Sequence, residues 1–233
     1  MQYLHSYNDW VEDIKSGKPI SFSRWADGEM CSVIGSRVNQ KNCDGHTFFP
    51  EMGRQLEKII ISRPAYRLGF MDLNRLMYAG RTGPKPAREV LAPFLTKHNL
   101  YNYPWYSAEV FHRAAIKDKL SLLIPAVNQR NVIIVGPSHL KNLKTVNYKH
   151  HVDVPMKDCF LAIETIYKNV VKILDTYKTH NFLVSISASM PSCILVDKLY
   201  KSHGTLHSFI DFGAVWDPFV GVLSRSYMRN KSK

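Results

Sequence analysis

The chain has 233 residues, 45% of them hydrophobic, and a formal net charge of +12. This length and composition predict a globular protein of one large domain or two small ones with a substantial core. They exclude a membrane span, because no run approaches about 18 uninterrupted apolar residues. The wide spacing of the cysteines disfavours a zinc knot or a disulfide framework; they are Cys31, Cys43, Cys159 and Cys193.

The first residues, MQYLHSYNDWVEDIK, contain no basic flank followed by an apolar stretch. Because a signal peptide needs that pattern, we expect a cytoplasmic protein. The sequence does not indicate an oligomeric state.

The positive charge is unevenly distributed along the chain. Residues 1–110 contain 14 Lys or Arg against 11 Asp or Glu, a net charge of +3, whereas residues 111–233 contain 17 against 8, a net charge of +9. A positive field of this size favours polyanionic partners such as nucleotides, nucleic acids or acidic membrane surfaces. A protein that is simply basic is an equally good interpretation, because charge alone does not name a ligand.

The first predicted element is a strand over SFSRW, and the acidic pair Asp27-Gly28-Glu29 follows it. We expect both carboxylates to project from an exposed turn, where Gly28 lets the backbone bend so that they converge. Two oxygen donors on a short turn suit Mn²⁺ or Mg²⁺, which would hold a diphosphate, while Arg24 would neutralise phosphate charge. The alternative is a solvated Asp-Gly turn without a ligand.

Residues 36–128 give no clear pattern, whereas the second half alternates strands and helices. Short runs rich in β-branched residues predict strands over NVIIVGP, NFLVSIS and TLHSFIDFG. Between them, we expect a helix capped by Asp158 and a second helix that begins at an N-cap of Ser189 and ends at Gly204. This order of elements predicts an α/β fold with a mostly parallel, Rossmann-like sheet flanked by helices.

The turns after these strands are candidate sites, because ligands of open parallel sheets bind at the carboxyl ends of the strands. In GPSHLKNLK, backbone amides from Gly136 onward and the Ser138 hydroxyl are candidates for a phosphate contact. In SISASMPS, Ser187 and Ser189 surround a helix N-terminus, which favours an anion. Plain strand-to-helix turns and ordinary capping explain the same residues without a ligand.

A further candidate segment is FIDFGAVWDPF, after the last predicted strand. Asp211 or Asp217 would act as a general base on an acceptor hydroxyl, and Trp216 would stack on a sugar or a base. The alternative is a capping aspartate and a core tryptophan. Other chemistries find less support, since GxSxG, HExxH, GxGxxG and P-loop motifs are absent from the sequence.

SFSRWADGE resembles the SFxRxGDGE signature of the GT-D type glycosyltransferases, a bacterial group once catalogued as a domain of unknown function. The later segments VIIVGPS, VDVPMKDCFLAIETIYKNV, FLVSISASMPSCILVDKLY and FIDFGAVWD are similar to segments of that family, in the same order. The resemblance covers Ile20–Gly35 and about Asn131–Asp217. It implies a GT-D-like fold in which Asp27 and Glu29, with a divalent metal, hold a nucleotide-sugar donor, most simply a UDP-sugar.

Two positions depart from the family pattern. Ala26 stands where the family usually has glycine, and FGAVWD lacks the histidine of the family's Asp-x-Gly-His-x-Asp segment. The second departure leaves the identity of the general base open.

The resemblance implies a single glycosyltransferase domain over residues 1–223, before a basic, flexible tail over 224–233. The charge of the second half favours a DNA acceptor such as a hydroxymethylated pyrimidine, with Arg225 and Arg229 as phosphate contacts. The aromatic cluster Tyr101–Tyr106 would hold an unstacked base, or else pack in the core. The alternatives are a glycan or glycopeptide acceptor, and a non-catalytic nucleic-acid-binding module.

Overall fold

A computed structural model describes residues 3–37, 40–42, 46–77, 83–178 and 180–224. In these ranges the α-helices are α1 (Tyr7–Lys15), α2 (Asp27–Val33), α3 (Pro50–Ser62), α4 (Ala87–Lys97), α5 (Val110–Ile116), α6 (Leu120–Asn128), α7 (Ile163–Thr176) and α8 (Ser192–His203). The strands are β1 (Ser21–Trp25), β2 (Arg67–Phe70), β3 (Leu76–Met77), β4 (Lys85–Pro86), β5 (Tyr106–Ser107), β6 (Asn131–Gly136), β7 (Tyr148–Asp153), β8 (Phe182–Ile186) and β9 (Ser208–Asp211). Short 3₁₀ turns cover Ser138–Asn142, Cys159–Ala162 and Asp217–Val220. Arg225, Arg229 and the predicted tail after Ser224 lie outside the described residues.

Seven strands form one sheet in the order β5-β2-β1-β9-β8-β6-β7. The pairs β2/β5, β1/β9, β8/β9, β6/β8 and β6/β7 are all parallel. Strands β3 and β4 form a separate antiparallel pair. The predicted α/β fold with a mostly parallel sheet is therefore confirmed.

The central strands are buried along almost their whole length because parallel sheets are covered on both faces. All five residues of β8 are buried, and so are the last five residues of β6. Helix α7 buries one stripe at three-and-four spacing; the stripe consists of Ile163, Ile166, Val170 and Leu174. Gly204 ends α8, as predicted.

Two predicted helix starts are wrong. Helix α7 begins at Ile163, so Asp158 does not cap it. Asp158 instead precedes the 3₁₀ turn that begins at Cys159; its backbone φ is 51°, and its side chain makes no capping hydrogen bond. Ser189 does not cap α8, which begins at Ser192, because its own backbone is left-handed with a φ of 53°. The Ser192 hydroxyl closes the turn by accepting from Ala188 N–H at 3.0 Å.

The chain divides into two compact units, residues 1–5 with 23–109 and residues 6–22 with 110–233. In the first unit, α2 packs on α3, and the Phe70 and Trp105 rings lie 4.6 Å apart. In the second unit, the rings of Trp10, Phe22 and Phe111 form a buried cluster with centroid distances of 4.6, 5.6 and 6.0 Å. Across the described ranges, no helix combines the length and apolar character needed to cross a membrane.

Candidate functional site

The acidic pair Asp27 and Glu29 lies in the first turn of α2, where β1 ends. The exposed turn predicted from the sequence is wrong: Gly28 is a buried helical residue, and Glu29 is only 8% exposed. Glu29 Oε2 accepts a hydrogen bond from Ala26 N–H at 2.9 Å, which satisfies a backbone donor at the helix start. Ala26 itself is extended, with a φ of −110°, so alanine is accommodated without strain.

Helix α2 is held in place by a close approach of α3. A Cβ atom at Gly53 would lie 2.4 Å from the backbone oxygen of Ser32, so glycine is needed there. The Ser32 hydroxyl in turn donates to the Gly28 carbonyl at 3.0 Å. The helix that carries the acidic pair therefore has a fixed position within the first unit.

The acidic pair fits a hard divalent cation. Asp27 is half-buried and has no hydrogen-bond partner in the described part of the chain, while Glu29 is oriented by its bond to Ala26. Mg²⁺ and Mn²⁺ sites commonly combine one or two carboxylates with phosphate and water oxygens. Over the same described ranges, no cluster of three or more His, Cys, Asp or Glu side chains occurs. A cation here would take its remaining ligands from a diphosphate and water; Arg24, half-buried on β1, remains a predicted phosphate contact.

In the second unit, the predicted turn residues lie at the carboxyl ends of β6 and β8. Ser138 is exposed at the start of its 3₁₀ turn, and a Cβ atom at Gly136 would lie 2.7 Å from Leu140 Cδ1. The Ser187 hydroxyl donates to the Gly213 carbonyl at 2.6 Å, and the Ser187 N–H donates to Val135 O at 2.8 Å. These bonds join the turn after β8 to strand β6 and to the turn after β9.

A buried thiol from the 3₁₀ turn at Cys159 contacts the turn between β8 and α8. Cys159 Sγ donates to the Ala188 carbonyl at 3.0 Å, and burial raises the pKa of this thiol to about 12. A thiol with this pKa stays protonated at neutral pH, so Cys159 supports the turn and does not act as a nucleophile. Ser189, in the same turn, is half-buried.

Asp211 and Trp216 are both buried. Asp211 is 1% exposed, and its Oδ1 accepts from Gly213 N–H at 2.9 Å, which closes the turn after β9. Trp216 is completely buried and donates its Nε1–H to Ser185 Oγ at 2.9 Å. This burial argues against stacking of Trp216 on an acceptor. Trp105 of the aromatic cluster is likewise a core residue that donates to Leu100 O at 2.9 Å.

Asp217 forms a pair that the sequence analysis missed. Its Oδ1 lies 3.0 Å from His139 Nε2, and its Oδ2 accepts a hydrogen bond from the Ser224 hydroxyl. His139 belongs to the 3₁₀ turn after β6, 78 positions away in the sequence. The available signal was the histidine inside GPSHLKNLK, at the end of a strand.

No protein-family profile matches the sequence, and no curated protein is significantly similar to it. Among solved structures, "A New Glycosyltransferase (DUF1792) from Streptococcus sanguinis" is similar with a TM-score of 0.66 and 19% sequence identity, over 94% of this chain and 84% of that chain. A second structure, described as "The highly conserved domain of unknown function 1792 has a distinct glycosyltransferase fold", has a TM-score of 0.64 and 15% identity, over 93% and 80%. These similarities confirm the predicted resemblance at the level of the fold: the chain has the α/β fold of the DUF1792, GT-D type structures.

Proposed function

We propose that the chain is a metal-dependent glycosyltransferase that moves a sugar from a nucleoside diphosphate sugar, in the first place a UDP-sugar, to an acceptor hydroxyl. One observation carries the proposal: an acidic pair in the first turn of α2 stands at the carboxyl end of β1, in a chain that matches the fold of a described glycosyltransferase over 94% of its length. Fold alone does not fix chemistry, so the acidic pair is the decisive part.

The donor is held through its diphosphate. Asp27 and Glu29 would hold Mn²⁺ or Mg²⁺, which would supply positive charge to stabilise the departing diphosphate. The Glu29 carboxylate is oriented before the ligand arrives, because Ala26 N–H already holds one of its oxygens. Arg24 adds a fixed positive charge on β1.

The acceptor that we propose first is DNA carrying a hydroxymethylated pyrimidine. The supporting observation is the net charge of +9 over residues 111–233, which an uncharged sugar acceptor does not require. A glycan or glycopeptide acceptor is the alternative, and it predicts transfer that depends little on salt.

Donor binding tests the proposal without knowledge of the acceptor. Calorimetry with UDP-glucose, UDP-galactose and UDP-N-acetylglucosamine, each with Mn²⁺, Mg²⁺ or a chelator, should show metal-dependent binding of at least one donor. Asp27→Asn should abolish that binding, whereas Glu51→Gln should not, since Glu51 is an exposed acid in the first turn of α3. DNA binding without metal-dependent binding of any nucleotide-sugar would favour the non-catalytic module instead.

A further inference from the structure

We propose that His139 is the general base of the transfer reaction and that Asp217 positions it; this inference rests on the proposed function. The pair joins the 3₁₀ turn after β6 to the 3₁₀ turn that Asp217 begins, with 3.0 Å between His139 Nε2 and Asp217 Oδ1. Both residues belong to the second unit, and His139 lies just beyond the carboxyl end of its strand, where ligands of parallel sheets bind.

The hydrogen bonds favour His139 over Asp217 as the base. Asp217 is 6% exposed, and both of its oxygens are already engaged, by His139 and by Ser224. Both oxygens therefore already accept hydrogen bonds, and little of this carboxylate is open to an acceptor hydroxyl. The His139 side chain is 19% exposed, and its Nδ1 has no bonded partner within the described ranges.

The same bonds fix the protonation state that a base requires. A carboxylate at Nε2 keeps the proton on that nitrogen, so that the lone pair of the neutral imidazole is on Nδ1. Asp217 then stabilises the imidazolium that forms, and Ser224 holds the carboxylate in place. This arrangement supplies, from the β6 turn, a histidine that the FGAVWD segment lacks.

The proposed step balances as follows. The acceptor oxygen forms a bond to the anomeric carbon of the donor sugar while the bond from that carbon to the diphosphate oxygen breaks, and the electron pair leaves with the diphosphate. The acceptor proton passes to His139 Nδ1, giving an imidazolium paired with the Asp217 carboxylate. The proton then passes to water, which restores the neutral base.

A second histidine of the same unit interacts electrostatically with His139. His151, on β7, interacts electrostatically with His139, Lys141 and Asp153. The pKa of the His151 imidazole is lowered, and burial is the largest cause. Lys141 itself pairs with Asp153 at 2.6 Å. A pH profile must therefore be compared between variants that keep these three side chains.

The test uses the full chain with the donor and acceptor that give transfer by the wild type, beginning with UDP-glucose, Mn²⁺ and DNA containing 5-hydroxymethylcytosine. His139→Gln should lower kcat by about 100-fold to 10,000-fold with an unchanged dissociation constant for UDP, and it should abolish the acidic limb of the pH profile. Added imidazole should restore part of the activity of His139→Ala. Asp217→Asn should lower kcat and shift the ¹⁵N resonances of His139 away from the Nε2–H tautomer.

A second histidine–aspartate pair in the same unit provides the matched control. His203 Nε2 lies 3.3 Å from Asp175 Oδ1, and the His203 side chain is 20% exposed, so His203→Gln removes a similar pair and should leave kcat within about twofold. If the wild type transfers sugar but folded His139→Gln or His139→Ala retains kcat within threefold, His139 is not the base. If the wild type transfers no sugar to any acceptor tested, the proposed function fails and this inference fails with it.

Discussion

At the scale of single residues, Glu29 combines two roles that a sequence motif cannot separate. Its carboxylate completes the start of α2 through Ala26 N–H, and the same group is the proposed metal ligand. A polar side chain that is 8% exposed contributes to folding as well as to chemistry. Substitutions at this position therefore need to be chosen by the bonds that they keep.

Two substitutions of Glu29 separate these roles. Glu29→Gln keeps an oxygen for Ala26 N–H, whereas Glu29→Ala leaves this donor without its partner and should cost about 1–3 kcal/mol of unfolding free energy. Both should lower kcat/KM by at least about 100-fold, because both remove the charge that binds metal. Urea unfolding and donor kinetics measure the two effects. Equal stability of both variants would contradict the capping role, and activity within threefold of wild type would contradict the metal role.

His207 makes stability depend on pH. Burial, and secondly the nearby His203, lowers the pKa of His207 to about 4, and its Nδ1 accepts from Phe182 N–H at 3.2 Å. Because the unfolded state binds this proton near pH 6.5 and the folded state only near pH 4, the free energy of unfolding should fall as the pH falls between these values.

Asn at position 207 offers an acceptor for Phe182 N–H but does not titrate. His207→Asn should therefore have a flatter dependence of unfolding free energy on pH between about 6.5 and 4 than the wild type. Urea unfolding at several pH values measures the difference. Identical pH dependence in the two proteins would show that His207 is not the titrating group.

At the scale of elements, the acidic pair depends on how α2 packs on α3. Gly53→Ala would place a methyl group 2.4 Å from Ser32 O, so one helix must shift. We expect a loss of about 1–3 kcal/mol of unfolding free energy and weaker metal-dependent UDP binding. Gly83→Ala is the control, since no atom lies within 4 Å of its added Cβ. Unchanged UDP binding and stability in Gly53→Ala would contradict the proposal that close packing at Gly53 fixes the position of α2.

The elements that the sequence predicts correctly are those with a simple period or a long apolar run. Strands β6 and β8 are such runs, and α7 has an apolar stripe. Strand β7 (YKHHVD) was missed because it has no apolar run or strict alternation, and β5 has only two residues. The predicted N-cap at Ser189 was wrong because the backbone of Ser189 is left-handed, and this conformation depends on the folded turn.

The candidate site was likewise predictable only where a local sequence pattern encodes it. The acidic pair is a local motif, so the sequence locates it, although the burial of Glu29 follows from packing against neighbouring elements. The pairing of His139 with Asp217 spans 78 positions, and no local pattern encodes it. The sequence allows Trp216 to be either a stacking surface or a core residue, and its complete burial shows that it is a core residue.

At the scale of the whole molecule, the uneven charge distinguishes the proposed acceptors. Each phosphate contact by Lys or Arg should contribute a slope of about −0.9 to the logarithm of DNA affinity against the logarithm of salt concentration. Arg225→Glu with Arg229→Glu should reduce both that slope and transfer to DNA while leaving UDP binding unchanged. Fluorescence anisotropy at several salt concentrations measures the slope. Transfer to DNA that is indifferent to salt would contradict the phosphate contacts.

The mass of the product tests the central claim most directly. The full chain is incubated with Mn²⁺, a UDP-sugar that it binds and DNA containing 5-hydroxymethylcytosine, and the nucleosides are then analysed by mass spectrometry, with Asp27→Asn and Glu51→Gln treated in parallel. We predict that the wild type and Glu51→Gln add one sugar mass to the hydroxymethylated base and that Asp27→Asn does not. The account would be contradicted if Asp27→Asn formed the same glycosylated nucleoside as the wild type. It would also be contradicted if the wild type added no sugar to this DNA or to any glycan or glycopeptide acceptor.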